Sequence, residues 1–218
     1  MGKLKFIVSK RVDPFFNVET DEKMLYLVGN NAMNQSVRFY KNRDSVILGR
    51  FQCIELEVNE EYCKRNNISV LKRVSGGGAV FHDENNLNVS IYLNERNMPS
   101  KYLVESMKMF SFAVKEALNS FGLPAKVGTH GEILIYGKKV SGCASAKKFG
   151  GFLYHATLLL DVDMEKLRRV LSPPKNVKVN RRCVLSNRAE IINLYDVKVI
   201  PEKEIMDSIY EHFESVLK

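Results

Sequence analysis

The segment Arg73-Val-Ser-Gly-Gly-Gly-Ala-Val-Phe-His82-Asp83 restricts the fold of this chain more than any other. Residues 69–74 before it are rich in β-branched types and residues 79–81 after it are strand-like, so Ser75 and the glycines Gly76, Gly77 and Gly78 join two strands. Three residues without side chains can take positive φ and turn several amides toward one anion. A hairpin turn would use the same glycines without any ligand. The segment is not a P-loop, because no GxxxxGK[ST] occurs, and not a dinucleotide fingerprint, because a strand follows it.

A second segment, Gly137-Lys-Lys-Val-Ser-Gly142, starts a strand with Lys139 between small residues. In a groove, that lysine is a fixed charge for a phosphate or a developing oxyanion; on a surface it is an ordinary solvated lysine.

The rest of the chain reads as punctuated helices and strands without internal repeats. Asp13-Pro14 caps a helix running to about Val28, and 36–40 and 46–48 read as a strand pair joined by a turn at 41–44. Asn59 caps a short helix. Residues 87–93 form a strand, and Pro99-Ser100 opens a long helix stopped by Gly122-Leu-Pro124. Strands at 132–136, 139–144 and 152–160 are separated by turns at Gly137 and Gly150-Gly151. Helices at 164–171 and 201–217 close the chain. Strand runs with hairpin-length connections, flanked by helices, predict an α+β fold on a largely antiparallel sheet, organised as one domain over 1–218.

Composition sets outer limits. With 218 residues of which 45% are hydrophobic, the chain is long enough to bury roughly 70% of its unfolded surface, and disorder is excluded. Its longest apolar runs, such as 152–160, fall far short of the ~20 residues of a membrane span, and the N-terminus lacks the apolar core of a signal peptide, so a soluble cytoplasmic protein is expected. The four cysteines, Cys53, Cys63, Cys143 and Cys183, form no CxxC pair and predict free thiols, not a zinc site. The net charge of +8 suits phosphorylated or acidic partners. Lys175, Lys178, Arg181, Arg182 and Arg188 form a basic stretch without the interleaved aromatic residues that stack bases, so nucleic acid is not the expected partner. An acidic acceptor domain is the preferred use for this stretch.

Six segments in order resemble the lipoate–protein ligases of the biotin/lipoate protein ligase superfamily: Asp13-Pro-Phe-Phe-Asn17, Arg38-Phe-Tyr40, Gly49-Arg-Phe-Gln52, the glycine segment with Leu87-Asn88, the lysine segment, and His155-Ala-Thr-Leu-Leu-Leu-Asp161. The resemblance implies that fold and a two-step reaction. Lipoate and ATP give lipoyl-AMP, with magnesium, and the lipoyl group then passes to a lysine of an acceptor domain, from a 2-oxoacid dehydrogenase acyltransferase or a glycine-cleavage carrier protein. It implies that Arg73 and the loop from Ser75 and Gly76 through Ala79 hold the adenylate and acyl groups. Lys139 would then bridge phosphate and acyl oxygens as the catalytic residue. His82, Asn88, Gln52, Glu132, His155 and Ala156 would line the groove, with Glu132 a possible magnesium ligand. Phe51, Val80, Leu153 and Leu158 are candidate tunnel walls.

The chain departs from the family at three places. Gly131-Glu132 replaces Asn-Asp, Ala156 replaces the glycine of His-Gly-Thr, and Cys143 stands where a small residue is usual. A thiol beside Lys139 raises the alternative of an octanoyl- or lipoyltransferase using Cys143, although related transferases carry their cysteine near 127–130, where this chain has none. The chain resembles the short ligases of some archaea, in which an accessory domain needed for adenylation is a separate polypeptide. An accessory C-terminal domain is therefore expected to be missing here and supplied by a partner subunit.

Overall fold

A computed structural model describes residues 4–218; Met1, Gly2 and Lys3 of the opening segment lie outside the described residues. The elements in chain order are β1 (Lys5–Val8), α1 (Pro14–Gly29), β2 (Ser36–Tyr40), β3 (Ser45–Leu48), α2 (Ile54–Glu57), α3 (Glu60–Arg65), β4 (Ser69–Lys72), β5 (Val80–His82), β6 (Asn86–Asn94), α4 (Leu103–Asn119), β7 (Ala125–Val127), β8 (Ile133–Ile135), β9 (Lys138–Lys148), β10 (Gly151–Leu159), α5 (Met164–Val170) and α6 (Glu202–Val216). The architecture is α+β. A seven-stranded sheet runs β1-β2-β6-β10-β9-β8-β7 and a three-stranded sheet runs β4-β3-β5. Among the described strand pairs, β1–β2 and β3–β4 alone are parallel.

The period-two alternation of the large sheet sorts its side chains into a helix-covered face and a site face. Val37 and Phe39 of β2, Val89 and Ile91 of β6, and Phe152, Tyr154 and Leu158 of β10 enter one core with Phe110, Val114 and Leu118 of α4 and Ile205, Ile209 and Phe213 of α6. Each of these buried side chains contributes roughly 1.5–3 kcal/mol. On the opposite face Tyr92 and Leu153 pack under Met24, Leu25 and Val28 of α1. The small sheet has its own core of Val46, Leu48, Val58, Cys63, Ile68 and Phe81 beside Val170 of α5.

Several local expectations hold. The Asp13 carboxylate accepts from Phe16 N at 2.8 Å and Pro14 occupies the first turn of α1. Asn59 accepts from Tyr62 N at 3.0 Å. Tyr136 and Gly137, both at positive φ (52° and 77°), make the tight turn between β8 and β9.

Three expectations fail. β2 and β3 are not a strand pair: β2 belongs to the large sheet beside β6, and β3 is the centre of the small one. The chain changes sheets at Asn42 and Arg43, where Arg43 N bonds Val12 O (2.8 Å) and Asn17 bonds the Asn42 side chain (2.7 Å). Nor are all the thiols free, because Cys53 and Cys183 are joined by a disulfide while Cys63 and Cys143 remain reduced. A separation of 130 residues hides that pair from any spacing rule. The long helix α4 also begins later than expected, at Leu103.

Candidate active site

The glycine loop crosses from β4 of the small sheet toward β9 of the large one. Gly77 takes φ 84°, and a side-chain carbon there would lie 3.4 Å from the Ala144 Cβ, so the bare backbone lies against β9. Gly49 is required for a similar reason, since a Cβ on it would collide with the Gly77 carbonyl. Arg73 wraps the loop from within. Its Nη2 donates to the carbonyls of Gly76 (2.6 Å) and Gly78 (2.8 Å), its Nη1 to Ile47 O (3.0 Å), and its Nε to Ser75 Oγ (3.0 Å). Peptide groups are planar and trans, so carbonyls drawn to Arg73 turn the N–H groups of Gly77 and Ala79 the opposite way. Burial lowers the Arg73 guanidinium to about 10, with the positive shifts from Tyr40 and Cys143 too small to offset it; it stays charged at neutral pH.

Behind the loop lies a polar chain that the sequence reading missed. Asp21, on the same stripe of α1 as Asn17, Met24 and Val28, is buried. Its carboxylate accepts from Arg38 (3.0 Å), Tyr40 (3.1 Å), Ser90 and Tyr92, and His155 Nδ1 lies 3.3 Å away. His155 Nε2 is 2.7 Å from Ser75 Oγ. Every group is satisfied when Nδ1–H donates to Asp21 and Nε2 accepts from the Ser75 hydroxyl, which itself accepts from Arg73. Burial alone would raise the Asp21 pKa, but the His155 hydrogen bond and the Arg38 charge outweigh it and hold the carboxylate below its ordinary value. Buried Asn17 and Asp21 in the otherwise apolar stripe of an amphipathic helix were the available signal.

Lys139 begins β9 and folds back over Gly142, where a Cβ would stand 2.8 Å from its Nζ, so Gly142 makes the room that the ammonium occupies. Ile191 bridges to Lys139, and Lys139 N donates to Glu190 O at 2.8 Å, fixing its backbone. Burial lowers the Lys139 pKa against the opposing charges of Cys143 and Glu132. Both Lys139 and the glycine loop line one cavity of about 620 Å³, together with His82, Asn88, Glu132, His155 and Ala156.

The remaining residues fall into place around this cavity. His82 is buried with Nδ1 3.0 Å from Asn42 Nδ2. Asn42 uses its oxygen to accept from Asn17, so Nδ1 of His82 is the acceptor and Nε2 carries the hydrogen. That Nε2 has no partner among the described residues. Burial, then the charges of Arg73 and His155, lower its pKa to about 3, and it is neutral at physiological pH. Asn88 donates to Tyr40 O (3.3 Å) and accepts from Asn86 (2.9 Å). Glu132 accepts from His130 N at 2.9 Å. Gln52 is not a groove residue: it accepts from Gly49 N (2.9 Å) and donates to Ser186 Oγ (3.0 Å), which accepts from Ala79 N (2.9 Å).

Of the four candidate tunnel residues only Val80 lines the cavity. Phe51 is 61% exposed, whereas Leu153 is buried under α1 and Leu158 lies in the core on the opposite face. Cys143 lines the same cavity and contacts α4, with Sγ 3.4 Å from Ser111 Oγ, and burial raises its pKa despite that contact and the Lys139 charge. The expected activation by neighbouring lysines is therefore outweighed, and a protonated thiol is a poor nucleophile. Among the described residues no group of three or more His, Cys, Asp or Glu side chains gathers for a metal.

The architecture matches that of biotin and lipoate ligases. A crystal structure of lipoate–protein ligase A bound with ATP superposes with a TM-score of 0.82 at 26% identity, covering 99% of this chain and 86% of that one. A biotin protein ligase from Aquifex aeolicus in complex with biotin and ATP shares the fold, with a TM-score of 0.55 at 15% identity, over 99% of this chain and 69% of that one. Within that class the sequence is more specific. A lipoate–protein ligase A subunit 1 from Thermoplasma acidophilum is 31% identical over 191 residues, 83% of this chain and 71% of that protein. Residues 13–214 match the model of the lipoyl protein ligase A/B catalytic domain. The chain belongs to that family. It spans only 52% to 59% of the length of several other curated relatives, all lipoate–protein ligases.

Proposed function

We propose that the chain is the catalytic part of an ATP-dependent lipoate–protein ligase. Lipoate attacks the α-phosphorus of ATP to give lipoyl-AMP and pyrophosphate, and an acceptor lysine then takes the lipoyl group with release of AMP. The observation that carries this reading is the convergence of the glycine loop and Lys139 on one cavity. Both steps pass through a centre with added negative charge, and neither requires a protein nucleophile. The Gly77 amide with the Lys139 ammonium supplies fixed donors where that charge develops, while the Ala79 amide is held by Ser186 Oγ, and such groups act more strongly in a site that excludes water.

Arg73 shapes the loop and contributes its charge from behind it. The unpartnered Nε2–H of His82 is available to an oxygen or ring acceptor of the bound adenylate, and Asn88, on β6 of the other sheet, lines the same cavity. His155, oriented by Asp21, holds Ser75 and so the register of the loop. Ala156 forms the adjacent wall. Glu132 is a single carboxylate at the cavity rim. Magnesium commonly binds through one or two carboxylates together with substrate phosphates and water, so Glu132 fits an ion that arrives with ATP and would lower the charge on its phosphates.

The acceptor is a lipoyl domain, as the T. acidophilum bi-partite ligase is described with its E2 lipoyl domain. The naming of the relative in that organism as subunit 1 supports an accessory subunit that completes adenylation. The basic stretch 175–188 lies beside the cavity and suits an acidic domain surface.

The test offers an apo lipoyl domain with three donors: ATP plus lipoate, synthetic lipoyl-AMP, or octanoyl carrier protein. Product from lipoyl-AMP is expected, and ATP plus lipoate gives product only with the accessory subunit present. Modification from octanoyl carrier protein, without reaction from lipoyl-AMP, would establish the transferase instead. Efficient ligation by the chain alone from ATP would remove the accessory requirement.

A further inference from the structure

Residues 172–190 contain no helix or strand, yet they form part of the cavity wall through Val184, Leu185 and Ser186. One narrow seam ties this segment to residues 51–57. Within it, Val184 N bonds Phe51 O (2.9 Å), Ser186 N bonds the Glu57 carboxylate (2.8 Å), Gln52 bonds Ser186 Oγ, and Arg181 makes two 2.8 Å bonds to Glu55. The Cys53–Cys183 disulfide lies in the middle of the seam and is its only covalent bond.

The surroundings of the two sulfurs differ. Cys53 is buried at 3% exposure, whereas Cys183 is partly exposed. Arg181 Nε donates to the Cys53 sulfur at 3.1 Å, and the guanidinium is held there by its paired bonds to Glu55. A thiol leaves faster from a disulfide when its thiolate is stabilised, and a neighbouring guanidinium stabilises it. Attack is therefore directed to Cys183, the accessible sulfur, with Cys53 as the leaving group.

We propose that Cys53–Cys183 is a thiol–disulfide exchange site for a dithiol reductant, and that its cleavage frees residues 172–190 from the glycine loop. One thiolate of the dithiol attacks Cys183 Sγ, forming a mixed disulfide as the Cys53–Cys183 bond breaks, and Cys53 takes up a proton. The second thiol of the reductant then displaces Cys183 and closes to a cyclic disulfide. Two electrons pass to the protein, which ends with two thiols, and the reductant is oxidised. Without the covalent tie the segment keeps the part-buried hydrogen bonds of Ser186 and the exposed pair from Arg181 in the seam, and the Lys139 N–Glu190 O bond at its far end. Ser186 then no longer stays fixed on the amide of Ala79. The site does not depend on the ligase assignment, and its test uses no ligase activity.

The segment carries its own reporters, because Lys175, Lys178, Arg181, Arg182 and Arg188 are tryptic sites. The full chain is purified without reductant and alkylated, then compared with chain treated with dithiothreitol and with the Cys183→Ser variant. With alkylation in denaturant, so that buried Cys63 and Cys143 also react, two alkylated cysteines are expected before reduction, with the Cys53 and Cys183 peptides linked, and four after it. Trypsin is expected to cut within 172–190 at least tenfold faster in the reduced chain and in Cys183→Ser, while the rest of the chain stays resistant. Arg181→Gln is expected to slow reduction by dithiothreitol severalfold without preventing disulfide formation. Four alkylated cysteines in the untreated chain, or equal tryptic rates in the oxidised and reduced forms, would overturn the proposal. A reduction rate unchanged by Arg181→Gln would overturn the assignment of Cys53 as leaving group.

Discussion

At the scale of single residues, the site depends on where charge is held. Lys139→Ala removes the only proposed group that carries full charge to the reacting oxygens. Transfer from lipoyl-AMP should then fall by ~10²–10³-fold with an unchanged denaturation midpoint, measured by single-turnover kinetics and urea titration. Because burial lowers the Lys139 pKa, the ammonium is lost as pH rises through a value below that of a free lysine. The rate should decline on that alkaline limb, and Lys139→Arg should move the limb upward. Cys143→Ser should leave transfer near wild type, since burial keeps the thiol protonated. Asp21 has a depressed carboxylate pKa, so the stability it provides is present above the unfolded value near 3.9 and disappears as pH falls through the folded one. Asp21→Ala strands Arg38 and should cost ~3–5 kcal/mol at neutral pH; Asp21→Asn should flatten the acid limb of stability against pH.

Elements that satisfy local rules were legible in the sequence. The caps at Asp13 and Asn59, the apolar spacing of α4 and α6, and the turn at Gly137 depend on neighbours a few residues away. Asp13→Ala should therefore cost about 1 kcal/mol in equilibrium unfolding, without changing ligand binding. The strand pair expected at 36–48 failed because alternation identifies strands but not partners, and the partner choice is made by Asn17 holding Asn42 across the sheet change. The tunnel failed for a related reason. Leu153 and Leu158 lie in one strand at positions of opposite parity, so they face opposite sides of the sheet, and neither side chain reaches the cavity.

For the whole molecule, the candidate site lies where two sheets meet, and the contacts that build it are long in sequence. The motif residues Arg73, Gly76 to Ala79, Lys139 and His155 could be named from the chain because their types and order carry the family resemblance. Their supports could not. Asp21 reaches His155 across 134 residues, Ser186 reaches Ala79 across 107, and Cys53 reaches Cys183 across 130. No spacing rule spans such distances, so the disulfide and the partners of Asp21 became visible only when the fold was assembled. Gly142→Ala tests this assembly, since the added methyl must displace the Lys139 ammonium; transfer should drop while the β9–β10 pairing survives, as judged by hydrogen exchange.

The central claim is that the bare backbone of the glycine loop and the Lys139 ammonium together bind an acyl phosphate. A non-hydrolysable sulfamoyl analogue of lipoyl-AMP, titrated calorimetrically into the wild type and Lys139→Ala, tests it most directly. Tight binding by the wild type, weakened about 100-fold or more by the substitution, is the expected result, on the scale of one fixed donor in a water-excluded site. Equal affinity for the two proteins would contradict it.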